Sequence, residues 1–149
     1  MQSYGMYHHL LFHVVWTTRN RAPTIDQAGA AYLWAHLPIV ARQERARLLE
    51  LGIVTSHVHL LVRVHPLTVL PRLLQRMKGG TACGINRAVA TSGPLLQWAK
   101  GYSVHSVSPR HQGVVAAYVR HQHIRHPDEA IPGWNPRHVA SATPAEPRL

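Results

Sequence analysis

Acidic residues are scarce in this chain: six Asp and Glu stand against sixteen Lys and Arg among 149 residues, a formal charge of +10 with histidine neutral. That imbalance excludes a self-compensating surface, and its field draws in polyanions, nucleic acid first among them. Cysteine is reduced to Cys83 alone, which excludes an internal disulfide. The amino terminus lacks the charged-then-apolar order of a secretory signal, so a reducing, cytoplasmic setting is expected. No apolar run is long enough to span a bilayer, and no basic segment has a clean apolar face for lying on one. A membrane partner is therefore not expected. Internal repeats are also missing. What remains is the length of one domain with enough apolar content for a core, and thirteen histidines. Imidazole ligates metals and titrates near neutrality.

Residues 7–17 alternate, Leu10, Phe12, Val14 and Trp16 against His9, Leu11, His13 and Val15, which predicts a strand with one core face. Asp26 stands where an N-cap precedes an Ala-rich helix running from Ala28 to about Leu48, and Pro38 inside it predicts a kink or two shorter helices. Strands over 48–54 and 57–64 are close enough for a hairpin. A basic helix follows over 67–90, with a break expected at Gly79 and Gly80, then a loop at Gly93 and Pro94 and a strand over 102–107. Ser108 and Pro109 are an N-cap and first-turn proline for a last helix carrying Tyr118 and Gln122. Residues 1–126 read as one domain and 127–149 as an irregular Pro-, Ala- and Arg-rich tail. This order predicts an α+β fold, a ferredoxin-like split βαβ sandwich whose antiparallel sheet carries helices on one face, with a C-terminal tyrosine-bearing helix.

Two constellations carry chemistry. On a strand, residues two apart lie about 7 Å apart on one face, so His57 and His59 can aim two imidazoles at one ion. With thirteen histidines in 149 residues, roughly one His-any-His triplet arises by chance, and a second, His121 and His123, is present. The His57 pair therefore reads equally as two histidines without a ligand role. Tyr118 and Gln122, four apart on a helix, share a face. By itself that spacing also describes an ordinary core tyrosine.

The segment from His57 (H-V-H-L-L-V) together with Tyr118-Val119-Arg120-His121-Gln122 resembles the HUH superfamily, specifically the single-tyrosine transposases of small insertion sequences and their REP-associated relatives. The segment from Leu74 (L-Q-R-M-K-G-G-T-A-C-G-I-N-R) and that from Gln97 (Q-W-A-K-G-Y-S-V-H-S-V-S) are similar to the family's second helix and to the strand before its tyrosine helix. The resemblance covers residues 7–126. It implies a nucleophile at Tyr118, metal ligands at His57, His59 and Gln122, Mg²⁺ or Mn²⁺ as cofactor, and cleavage of single-stranded, hairpin-forming DNA through a 5′-phosphotyrosine. A homodimer is implied as well. Where the family usually has Asn before the first histidine, and often Pro ahead of that, this chain has Ser56 and Thr55.

Arg63, Arg76, Lys78 and Lys100 are the cations named as phosphate contacts, each of which reads equally as a solvated surface charge. Competing functions are a replication or conjugation nickase of the same superfamily, a domesticated, non-catalytic nucleic-acid-binding module, and a metal-dependent hydrolase of a small phosphorylated substrate.

Overall fold

The structure, a computed structural model, describes residues 7–88 and 95–135. The loop expected at Gly93 and Pro94, the last two residues of the second helix as expected, and most of the tail lie outside them. Strands β1 (Leu10–Thr17), β2 (Ala46–Ile53), β3 (His57–Val64) and β4 (Ser103–Val107) form one antiparallel sheet in the order β2-β3-β1-β4. Helix α1 (Gln27–Gln43) joins β1 to β2, and α2 (Leu70–Ala88) lies between β3 and β4. This is the expected split βαβ sandwich.

Asp26 caps α1, its Oδ1 accepting from the Gly29 N–H at 2.8 Å. The helix runs through Pro38 as one element and not as two shorter helices. Leu33 and Leu37 before and at the edge of that proline, and Ala41 beyond it, are all fully buried, so packing outweighs one missing backbone donor. The helix ends earlier than expected because Arg45 adopts a left-handed conformation at φ 60. No glycine marks that turn, and the helical pattern in the sequence does not reveal it.

Helix α2 also continues through Gly79 and Gly80, both on its exposed side with open space around their Cα atoms. Its buried stripe, Leu73, Met77, Thr81 and Ile85, keeps four-residue spacing across the glycines. Two helices and one sheet face enclose the main core, where Val14, Trp16, Ile53, Val58, Leu60 and Val62 meet Leu33, Leu37, Leu73 and Met77. Each such large side chain contributes roughly 1.5–3 kcal/mol by leaving water.

Helices α3 (Gln112–Arg120) and α4 (Gln122–Arg125) cover the opposite face. Strand β3 is therefore buried on both faces, whereas β4 at the sheet edge stays largely exposed. His57, His59 and Leu61 are buried, as Val58, Leu60 and Val62 are, and Leu11, expected on the outer face of β1, is buried while Leu10 is exposed. Ser108 makes no side-chain cap, and Pro109–His111 forms a 3-10 turn before α3 begins.

Beyond α4, as far as Asn135, the chain packs back on the fold through the 3-10 turn Pro127–Glu129 and the residues after it. The Glu129 carbonyl accepts from the Thr55 N–H at 2.9 Å, Ile131 is buried, and the Trp134 ring lies edge-on to Trp34 at 5.9 Å. Among the described residues no helix is long and apolar enough to cross a membrane.

Candidate active site

Alternation along β3 puts His57 and His59 on the sheet face beneath α3, with ring centroids 5.2 Å apart. Each ring has a polar neighbour at Nδ1. Ser56 Oγ lies 3.1 Å from that atom of His57, and His13 Nε2 lies 2.9 Å from that of His59. His13 comes from β1, two residues before Val15, the register partner of His59. It therefore stands diagonally across the same face.

Gly52 on β2 is the register partner of His59, and its missing side chain admits α3. A Cβ there would meet the Val119 carbonyl oxygen at 1.9 Å. This close approach brings the Tyr118 ring edge-on to His59 at 5.6 Å and to His13 at 5.7 Å. The Arg125 guanidinium carbon sits 4.4 Å from the centre of the same ring, within cation–π range.

One unbroken helix carrying Tyr118 and Gln122 was the expectation; the chain instead changes direction at His121 (φ −98, ψ 25), and Gln122 opens α4. The Gln122 Nε2 donates to the Tyr118 carbonyl at 2.8 Å. That bond turns the amide inward. Its Oε1 is buried and has no hydrogen-bond partner among the described residues, although the side chain is near enough to His57 to favour the protonated ring. A buried acceptor oxygen is costly without a donor or a cation beside it.

Burial is the first cause that lowers the pKa of His57, with Glu129 opposing it. Burial, aided by the charges of His57, His13 and His126, pushes His59 down to about 3. His13 is lowered too, by burial and then by His105. Neutral imidazoles keep a ring lone pair for a cation. Among the described residues no three His, Cys, Asp or Glu side chains converge as metal ligands. An ion held by His57 and His59 would therefore need a donor of another kind, and the orphaned Gln122 Oε1 is an oxygen of the type that Mg²⁺ and Mn²⁺ accept. The residues present fit such an ion.

Residues 6–122 match the family model described as "Transposase IS200 like". This chain belongs to the IS200-like transposase family. It is 24% identical over 127 residues to the ISDra2 transposase TnpA of Deinococcus radiodurans, covering 80% of this chain and 88% of that relative. Its fold is similar to the crystal structure of a transposase from Deinococcus radiodurans R1, with a TM-score of 0.65, 23% identity, and coverage of 88% of this chain and 98% of that one. It is also similar to a REP-associated tyrosine transposase bound to a REP hairpin, with a TM-score of 0.60, 15% identity, and coverage of 100% and 92% respectively.

In this IS200-like transposase the four named cations have different surroundings. Lys78 Nζ donates to the Ala99 and Gly101 carbonyls at 2.8 and 2.7 Å. Arg76 bonds Glu44 at 2.7 Å and Gln43 at 2.6 Å. Arg63 donates to the His8 carbonyl at 3.3 Å, and Lys100 is exposed. The first two thus brace α2 against its neighbours. Trp98 packs edge-on to Trp16 at 5.8 Å, whereas Tyr102 is exposed.

Sequence reading missed Gly52, His13, Arg125 and Glu129. Two of them left a signal: a glycine inside a strand marks close backbone approach, and Glu129 is one of only six acidic residues. His13 and Arg125 left none among so many histidines and arginines.

Proposed function

We propose that this IS200-like transposase breaks and rejoins single-stranded DNA through a covalent link between Tyr118 and the 5′ phosphate at the break. The observation that carries this reading is the Tyr118 ring against His59, with Gln122 Oε1 buried one turn along and without a hydrogen-bond partner among the described residues. In cleavage the Tyr118 Oη forms a bond to phosphorus and the bond to the 3′ oxygen breaks. The phenol proton is lost, and the departing 3′ oxygen takes up a proton to become a hydroxyl. Rejoining is the reverse, with a 3′ hydroxyl attacking and the phenol leaving. One phosphoester replaces another at each step, so no nucleotide cofactor is consumed.

His57, His59 and Gln122 would hold Mg²⁺ or Mn²⁺, which when bound polarises the scissile phosphate and stabilises charge on its oxygens. Arg125, over the Tyr118 ring, adds a fixed positive charge beside the attacking phenol. The DNA partner is proposed to be hairpin-forming, since the REP-associated relative was solved with a REP hairpin. A homodimer is proposed as the assembly; within one chain Tyr118 already lies against its own His59.

The test incubates the protein and its Tyr118→Phe variant with Mn²⁺ and end-labelled hairpin DNA from the flanks of its own gene, followed by a denaturing gel. Labelled protein is expected for the native chain only, and only with the metal. Tight binding without any adduct, across flanks and metals, would replace this reading with a non-catalytic DNA-binding role.

A further inference from the structure

We infer that Ser56 and Glu129 are positioning residues that hold His57 in the tautomer with Nδ1 protonated, leaving Nε2 as its free ligand atom. The inference deepens the metal-site reading above and rests on it only for what Nε2 would bind.

The direction of each hydrogen bond follows from how many protons are available. A carboxylate has acceptors only, a serine hydroxyl has a single proton, and a neutral imidazole has one N–H. Ser56 Oγ donates that single proton to Glu129 Oε1. Toward its other neighbour, His57 Nδ1 at 3.1 Å, the serine oxygen can then only accept. The ring proton must sit on Nδ1. The second carboxylate oxygen, Oε2, lies 3.8 Å from the same nitrogen and favours the proton there as well.

Both positioning groups are themselves held. Ser56 is fully buried, and its carbonyl accepts from the Thr18 N–H at 2.8 Å and from Thr18 Oγ1 at 3.1 Å. Glu129 ends the 3-10 turn Pro127–Glu129. Its carbonyl accepts from the Thr55 N–H, and its own N–H donates to the His126 carbonyl at 2.9 Å. The carboxylate is therefore delivered to Ser56 by backbone bonds on both sides of the contact, from a residue 73 positions away in the chain. The packed segment beyond α4 has a use: it supplies the acceptor that orients the serine. Metal-binding histidines are generally oriented in this way by an acceptor on the other ring nitrogen, and loss of that partner weakens metal affinity about 10- to 100-fold.

The experiment reads the tautomer directly. Long-range ¹H–¹⁵N spectra of metal-free protein labelled at histidine are recorded for the native chain, Ser56→Ala and Glu129→Gln, and Mn²⁺ affinity is measured by calorimetry on the same three. A glutamine at 129 keeps the volume but can donate to Ser56, freeing the serine proton to turn toward His57. The expected result is Nδ1–H at His57 in the native chain, a mixed tautomer in both variants, and Mn²⁺ binding weakened about 10-fold or more. An Nε2–H tautomer in the native chain overturns the inference, even if both variants unfold. So does an unchanged tautomer in two folded variants. Native protein with the Nδ1–H tautomer that binds no Mn²⁺ supports the positioning and overturns the metal-site reading instead.

Discussion

Gly52 lies against the Val119 carbonyl: a Cβ on this glycine would stand 1.9 Å from the carbonyl oxygen and 3.1 Å from Cγ of Gln122. The strand and the tyrosine helix come into backbone contact where α3 crosses the register partner of His59. Gly52→Ala must push the helix away, because a backbone carbonyl cannot rotate aside as a side chain would. The expected loss is about 1–3 kcal/mol, the usual range for an overpacked site. Displacing Tyr118 by even about 1 Å should lower adduct formation roughly 100-fold. Urea midpoints and adduct yield on a gel check both; native values for each would show that Gly52 does not set the position of the tyrosine helix.

Stability of the metal-free protein should fall in mild acid. His59 is held near 3 and His57 below the ordinary 6.5, so between these values the unfolded chain binds protons that the native state refuses. Stability then rises with pH across that window and is lost as pH falls from about 6.5 toward 3. At full slope His59 alone contributes about 1.4 kcal/mol per pH unit. Denaturation at several pH values in chelator, repeated with His59→Asn, reads the slope. A variant as steep as the native chain would assign the acid sensitivity elsewhere.

Lys78 and Lys100 should separate in their effects. Lys78 ties α2 to the carbonyls of Ala99 and Gly101, and Lys78→Met should cost about 1 kcal/mol of stability. Lys100 is exposed, and Lys100→Ala should leave stability within about 0.5 kcal/mol. If Lys100 touches a phosphate, its loss weakens binding across sequences and reduces the salt slope by about 1. Binding isotherms at a series of salt concentrations decide this, with a native slope in Lys100→Ala clearing that residue of a role.

Arg125 is exposed, so its cation–π contact with Tyr118 is worth only about 0.5–1 kcal/mol. Arg125→Ala should therefore fold almost normally. As a charge beside the developing phosphoester it matters more, and adduct formation should slow about 10-fold, the effect of roughly 1.4 kcal/mol at the barrier. Single-turnover rates measure it. Arg125→Lys restores charge without the planar group, and full recovery would show that charge alone matters.

Element order was legible because strand and helix periodicities differ. Strand β3 was read with its bounds as found, and Asp26 announced α1. The end of α1 was not legible, since Arg45 turns left-handed with no glycine to advertise it. Pro38 and the Gly79–Gly80 pair misled for a shared reason: local propensity costs about 1–3 kcal/mol, and a buried stripe on either side exceeds it. The break between Tyr118 and Gln122 was hidden as well, because His121 is neither a proline nor a glycine.

By itself the sequence determined the fold class, the basic field and the shared face of His57 and His59, all of which depend on composition or on side-chain alternation along one strand. Only the tertiary structure decided that this face is buried, and that His13, Glu129 and Arg125 surround it. It also decided that Gly52 lets the tyrosine helix reach it. Those relationships join residues far apart in the chain, and their geometry is set by how closely two backbones pack, which no local pattern encodes.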